Sequence, residues 1–239
     1  MITFNRIQLS LLLVLLIVIA SCKSSKDNSL FEDGILIEIY DLIEPELLDI
    51  IENVLETPIH RGDNPPNVEG VYLMSPYLLH RTNVPVDAGR VNPGQRYADL
   101  HIRLSKQDRR AYRVQFDTVH HSIGESPSHG PDSFVIGNEN QFTVFGFLER
   151  RAGESTIKTL YVFSGILEQD GISSPHTALL MLDNDGASQV IPNNTGRSFV
   201  HGNNKALTSN WPIQPQKVST DDENISTHYG SSTRAYFPD

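Results

Sequence analysis

Cysteine is all but absent from this chain: there is one in 239 residues, at position 22. An intramolecular disulfide is thereby excluded, and an ordinary apolar core has to hold the fold. Cations are scarce too, with 19 Lys and Arg against 29 Asp and Glu and a formal net charge of −10. That balance argues against nucleic acid, whose phosphates need clustered Lys and Arg, and against electrostatic adhesion to anionic lipid. No Gly-x-Ser-x-Gly nucleophile elbow occurs. What the chain does have is an apolar run from Ile7 to Ala20, broken only by Gln8 and Ser10 and preceded by the lone cation Arg6. Such a run is too short to span a bilayer comfortably and has the layout of a secretory signal.

The run closes on Ile19-Ala20-Ser21-Cys22, which resembles the lipobox of bacterial lipoproteins. Small side chains let the peptidase seat the backbone in a narrow cleft, and the thiol accepts a diacylglycerol as a thioether. The resemblance implies a signal peptide over 1–21, lipid attachment at Cys22 and a place in the cell envelope. A plain signal peptide cut near Ser21 and a membrane-anchoring helix are the competing readings. Lys23, and not Asp, follows the cysteine; by resemblance to enteric sorting this favours the outer membrane, with the leaflet left open. Residues 22–29 are polar and charged with nothing to bury, and read as a flexible tether.

Residues 30–67 form an N-terminal segment with one helix, over 45–56. Pro45 suits the first turn, where its missing N–H costs nothing, and Pro58 ends the segment. Leu47, Leu48, Ile51, Val54 and Leu55 recur at helical spacing, with Glu46, Asp49, Glu52 and Glu56 opposite. From Val68 the period becomes two. Ala98, Leu100, Ile102 and Leu104 alternate with Asp99, His101 and Arg103, and Tyr112, Val114 and Phe116 alternate with Arg113, Gln115 and Asp117. Further strands are expected over 70–75, 133–137, 141–149, 156–167 and 177–182, separated by short turns that exclude parallel crossovers. The β domain spans 68–213. Beyond Pro192 the periodicity fades, pieces such as 196–199 pack back on the core, and 214–239 is a polar C-terminal tail.

Strands 141–149, 156–167 and 177–182 are apolar on both faces, whereas a sheet wetted on one side would alternate. Something covers the second face, and the helix is the economical cover. The expected fold is therefore mainly β: an antiparallel meander closed into a barrel or a barrel-like sandwich, with one N-terminal amphipathic helix packed outside. Gly70-Val71-Tyr72, Ala98-Asp99, Phe142-Thr143-Val144, Phe163-Ser164-Gly165 and the closing Leu182-Asp183-Asn184-Asp185-Gly186 are similar to uncharacterised envelope lipoproteins of the Bacteroidota with calycin-like β-barrel domains. The likeness covers roughly residues 68–200, implies an antiparallel barrel in the envelope, and carries over no catalytic residue.

Several constellations carry side chains suited to chemistry. His120, His121 and His129 share one loop and offer imidazoles suited to Zn or Cu, but match no ligand spacing. Asp183-Asn184-Asp185-Gly186 resembles the opening of a calcium loop without its distal acids, and a turn explains it better. Arg61-Gly62-Asp63 reads as part of a turn cluster. Asp221, Asp222 and Glu223 sit in the polar tail, which cannot hold two acids rigidly. Tyr97, Tyr112, Phe116, Phe142, Phe145, Phe147, Tyr161 and Phe163 either line a small-molecule cavity or fill a core. No catalytic residue, metal or cofactor is expected, and Cys22 is the only assigned site, for lipid. Function then reads as a non-catalytic binding or assembly module, joined to the membrane by acyl groups, with an envelope protein as partner. A calycin-like carrier of a small apolar ligand is the alternative, and a hydrolase with an unrecognised site the third.

Overall fold

The computed structural model describes residues 30–212 apart from 121–127, 131 and 153. The signal peptide, the tether, Cys22, His121 and the polar tail lie outside the described residues. The N-terminal segment holds a two-stranded hairpin, β1 (Phe31–Glu32) with β2 (Ile35–Leu36), then helix α1 (Ile37–Tyr40) and helix α2 (Pro45–Asp49). A wide π turn over Ile50–Val54 continues α2, closed by Leu55 N–H donating to the Ile50 carbonyl at 2.8 Å. Strand β3 (Asp63–Asn64) follows and lies parallel to Gly137 and Asn138.

Eight antiparallel staves then close into a ring. In chain order they are β4 with β5 (Gly70–Met74 and Tyr77–Thr82), β6 with β7 (Arg96–Tyr97 and Leu100–Asp108), and β8 (Arg113–His120) with its short neighbour β9 (Ser128–Gly130). Next come β10 (Asp132–Asn138), β11 (Gln141–Ala152), β12 (Ser155–Glu168), β13 (Gly171–Asp183) and β14 with β15 (Gly196–His201 and Lys205–Thr208). The last stave pairs with the first, Leu207 opposite Leu73 and Val200 opposite Leu78, so the meander is a barrel.

Two apolar cores explain why so many strands are apolar on both faces. Inside, Tyr72, Met74, Leu100, Ile102, Leu104, Val114, Phe116, Val135, Phe142, Val144 and Phe163 pack together across the ring. Outside, Phe134, Phe145, Leu160, Val162 and Leu180 meet Ile39, Leu47, Leu48, Ile51 and Leu55 of the N-terminal segment. Neighbouring residues on a strand therefore face different cores, both dry. Gly146 leaves room inside for the Phe116 ring, since a Cβ there would lie 2.5 Å from Phe116 Cδ1. One end of the barrel carries tight hairpins and is crossed by the buried Val68, whose N–H donates to Gln107 Oε1 at 2.8 Å. The connections 83–95 and 184–195 gather at the other end.

The structure departs from the sequence pattern at identifiable points. The π turn brings Leu55 beneath Ile51 and leaves Val54 exposed, although regular helical spacing groups all three. Tyr112 has φ +55° and turns outward against Phe31, away from Val114 and Phe116. Tyr97 lies across from Tyr77 on the inner face, because the chain breaks at 98–99 and resets the alternation. Strands β5, β14 and β15 have no clean period of two, yet they complete the ring.

Candidate functional site

Three inward residues that pair across neighbouring strands keep accessible surface. On β12 the inward Phe163 and Thr159 are buried, while Tyr161 between them is only half-buried. On β13 Leu179, opposite Tyr161, is half-buried between the buried Thr177 and Met181. Arg197 faces Leu179 from β14 and is half-buried as well. Phe116, Phe142 and Phe163 fill the barrel on one side of this layer, and Ile157 and Met181 pack on Ala187 and Val190 on the other. This layer, about two residues or roughly 7 Å along a strand, is the candidate chamber.

Hydroxyls and rings dominate its wall. Tyr77 shares a hydrogen bond of 2.7 Å with the Thr177 hydroxyl, stacks on Phe199 at 4.4 Å between centroids, and lies 6.1 Å from the His120 ring. Tyr97 meets Phe199 edge-on at 5.1 Å, and its buried hydroxyl has no hydrogen-bond partner. Burial pushes the Tyr77 phenol well above its ordinary range; the Tyr161 phenol adds to this, the Thr177 bond opposes it and Tyr97 adds again. Tyr97 is raised by burial, against a lowering by Arg197. His120 Nδ1 lies 3.1 Å from the Ala98 carbonyl. An oxygen acceptor there makes Nδ1 the donor, so in the neutral ring Nε2 is the acceptor.

Charge at this end of the barrel is paired. The 3₁₀ turn Pro85–Asp87 inserts the fully buried Asp87, which accepts from Arg197 Nε and Nη2, both at 2.7 Å, and from the Thr82 hydroxyl at 2.6 Å. Burial raises the Asp87 carboxyl, but these bonds outweigh it and hold the group below the usual carboxylate range. Arg96 pairs with Asp99, which also accepts from the Ser75 hydroxyl at 2.7 Å.

A second polar cluster lies on the outer wall under the N-terminal segment. The His80 and His176 rings meet edge-on at 5.8 Å, and His80 Nε2 is 3.3 Å from Glu56, which also pairs with Arg81. Burial lowers the pKa of His60, His80 and His176, and His176 lowers the other two further. Among the described residues no group of three or more His, Cys, Asp or Glu is arranged to hold a metal ion.

Of the sequence candidates, Tyr97 and Tyr161 border the chamber, and Phe116, Phe142 and Phe163 form its floor, whereas Tyr112, Phe145 and Phe147 belong to the outer core. The Asp183–Gly186 stretch is a turn whose side chains accept backbone bonds: Asp185 N–H donates to Asp183 Oδ1 at 2.9 Å and Gly186 N–H to Asn184 Oδ1 at 3.1 Å. Arg61 is held in a two-pronged pair by Glu52, and Asp63 lies in β3. Ser164 is fully buried on the outer wall. Sequence reasoning missed Tyr77, Asp87 and Arg197. An inward polar face does not alternate in polarity, so only the strand pairing reveals them. No family model, curated protein or solved structure matches this chain.

Proposed function

We propose that this chain is a lipid-anchored protein of the cell envelope, held at the outer membrane by acyl groups on Cys22, whose barrel binds a small molecule without transforming it. The observation that supports binding most directly is the partly accessible Tyr161–Leu179–Arg197 layer, set between the inner core at Phe163 and the small cluster of Ile157 and Met181. Protein interiors close-pack, and a space walled by rings and converging hydroxyls is the usual form of a small-ligand site. An assembly module for an envelope protein is the second reading. It draws on Ile37, Leu42 and Val54, apolar side chains exposed on the segment that covers the barrel wall.

Anchor and chamber are tested separately. Cys22→Ser should move the protein out of the detergent phase, and phase partitioning unchanged at wild-type size would refute the anchor. Native mass spectrometry of protein extracted from its own membranes should show a small-molecule adduct that Leu179→Trp eliminates. An adduct untouched by that substitution would place the ligand elsewhere.

A further inference from the structure

The N-terminal segment meets the barrel wall in two different ways. Ile39, Leu47, Leu48, Ile51 and Leu55 hold it through apolar packing, whereas residues 56–60 hold it through polar contacts. Thr143, Ser164 and His176 lie in register across β11, β12 and β13 and form one row on the outer wall. The His60 N–H donates to the Thr143 hydroxyl at 2.8 Å, and the Thr57 N–H donates to the Ile51 carbonyl at 2.9 Å. The Ser164 hydroxyl in this row and the Thr57 hydroxyl in this stretch are buried and have no hydrogen-bond partner. A buried hydroxyl without a partner carries a penalty that water removes, so this corner opens more readily than the apolar remainder.

Three imidazoles collect at the same corner: His60 from the segment, His176 from β13 and His80 from β5, the last two meeting edge-on at 5.8 Å. His176 Nδ1 lies 3.0 Å from the Ser174 carbonyl and donates to it, so an added proton goes to Nε2. From β12 and β14 the uncharged Ser164 and Val200 flank this ring. His80 Nε2 lies 3.3 Å from Glu56, which also pairs with Arg81. Among the described residues Glu56 is the one carboxylate paired with the cluster, so full protonation sets it against three imidazoliums and Arg81. Burial is the chief obstacle to protonating each ring; His176 adds to it at His60, and Arg81 and His176 add to it at His80 against the pull of Glu56. Water reaching the rings removes that obstacle, so proton binding favours the open corner. The apolar contacts of Ile39, Leu47 and Ile51 take up no proton and keep the rest of the cover in place.

We infer that residues 56–60 are an acid-sensitive latch: protonation of His176, His80 and His60 lifts this stretch from the wall and uncovers the Thr143–Ser164–His176 row, while the two helices and the ring stay as they are.

Hydrogen–deuterium exchange of the full-length protein in dodecyl maltoside tests the latch, read by mass spectrometry peptide by peptide and corrected for the intrinsic pH dependence of amide exchange. Between pH 7.5 and 5.5 the peptide 56–62 should exchange about tenfold faster, while peptides 45–51 and 158–166 keep their rates. His176→Gln should cut that acceleration to about threefold or less. Glu56→Gln, at an exposed position, should enlarge it, because the closed form loses the carboxylate that favours a protonated His80. Equal rates in 56–62 at the two pH values would overturn the latch. Matching acceleration in 45–51 or 158–166 would overturn its local character and show that the cover or the ring unfolds instead. Full acceleration retained in His176→Gln would overturn the role of that ring, and a smaller acceleration in Glu56→Gln would overturn the charge argument.

Discussion

Ile51→Ala measures how far the N-terminal segment and the barrel form one cooperative unit. Ile51 is fully buried in the outer core, among Leu47, Leu48 and Leu55 on its own segment and Phe145, Leu160 and Val162 on the barrel wall. Truncation removes three carbons. Their lost transfer energy is about 2.4 kcal/mol at ~0.8 per methylene, and the cavity left between the segment and a rigid sheet adds to it. The expected destabilisation is about 3 kcal/mol, within the ~2–5 measured for such truncations. For a domain of this size that lowers the melting temperature by about 6–12 °C. With a urea slope near ~2 kcal/mol per molar, the midpoint falls by about 1.5 M. Val54→Ala on the same π turn is the control: Val54 is 43% exposed and its truncation should leave the midpoint within about 0.5 kcal/mol of wild type. Equal midpoints for Ile51→Ala and wild type would refute the covering role and show that the segment detaches before the barrel unfolds. A loss in Val54→Ala as large as in Ile51→Ala would refute the register of the turn.

Two further predictions follow from the polar clusters. The folded state holds His60, His80 and His176 below their ordinary pKa, chiefly by burial, so the unfolded chain binds more protons as pH falls through about 6.5. Their contribution to stability is therefore complete above that pH and declines below it until the folded pKa values are passed. Urea midpoints should drop between pH 7.5 and 5.5, and the drop should shrink in His176→Gln; a midpoint that rises over this interval would contradict the assignment. Asp87→Asn removes the charge of a fully buried carboxylate and leaves its partner Arg197 unpaired, at a cost of about 3–5 kcal/mol. Thermal unfolding of the variant checks this, and a melting temperature equal to wild type would show that the pair does not lock the 83–95 connection.

What was legible in the sequence is the part governed by local periodicity. Alternation over 100–104 and 113–117 and the two-faced apolar strands 141–182 are enough to define an antiparallel sheet covered on both sides. The Pro45 start and the spacing of Leu47, Leu48, Ile51 and Leu55 are enough to define its cover. These signals survive because each residue's burial follows from its place on its own strand or helix. Ring closure does not work that way. It depends on β5, β14 and β15, whose inward positions include Tyr77, Arg197 and Thr82, and a strand with polar groups inside shows no alternation of polarity. The chamber was hidden for the same reason. Its wall assembles residues a hundred or more positions apart, Tyr77 with Thr177 and Asp87 with Arg197, and only the strand register brings them together. Composition and local pattern set the class of fold, because burial of apolar faces is a local demand. The site was decided by tertiary pairing, because a buried hydroxyl or carboxylate finds its partner across the barrel.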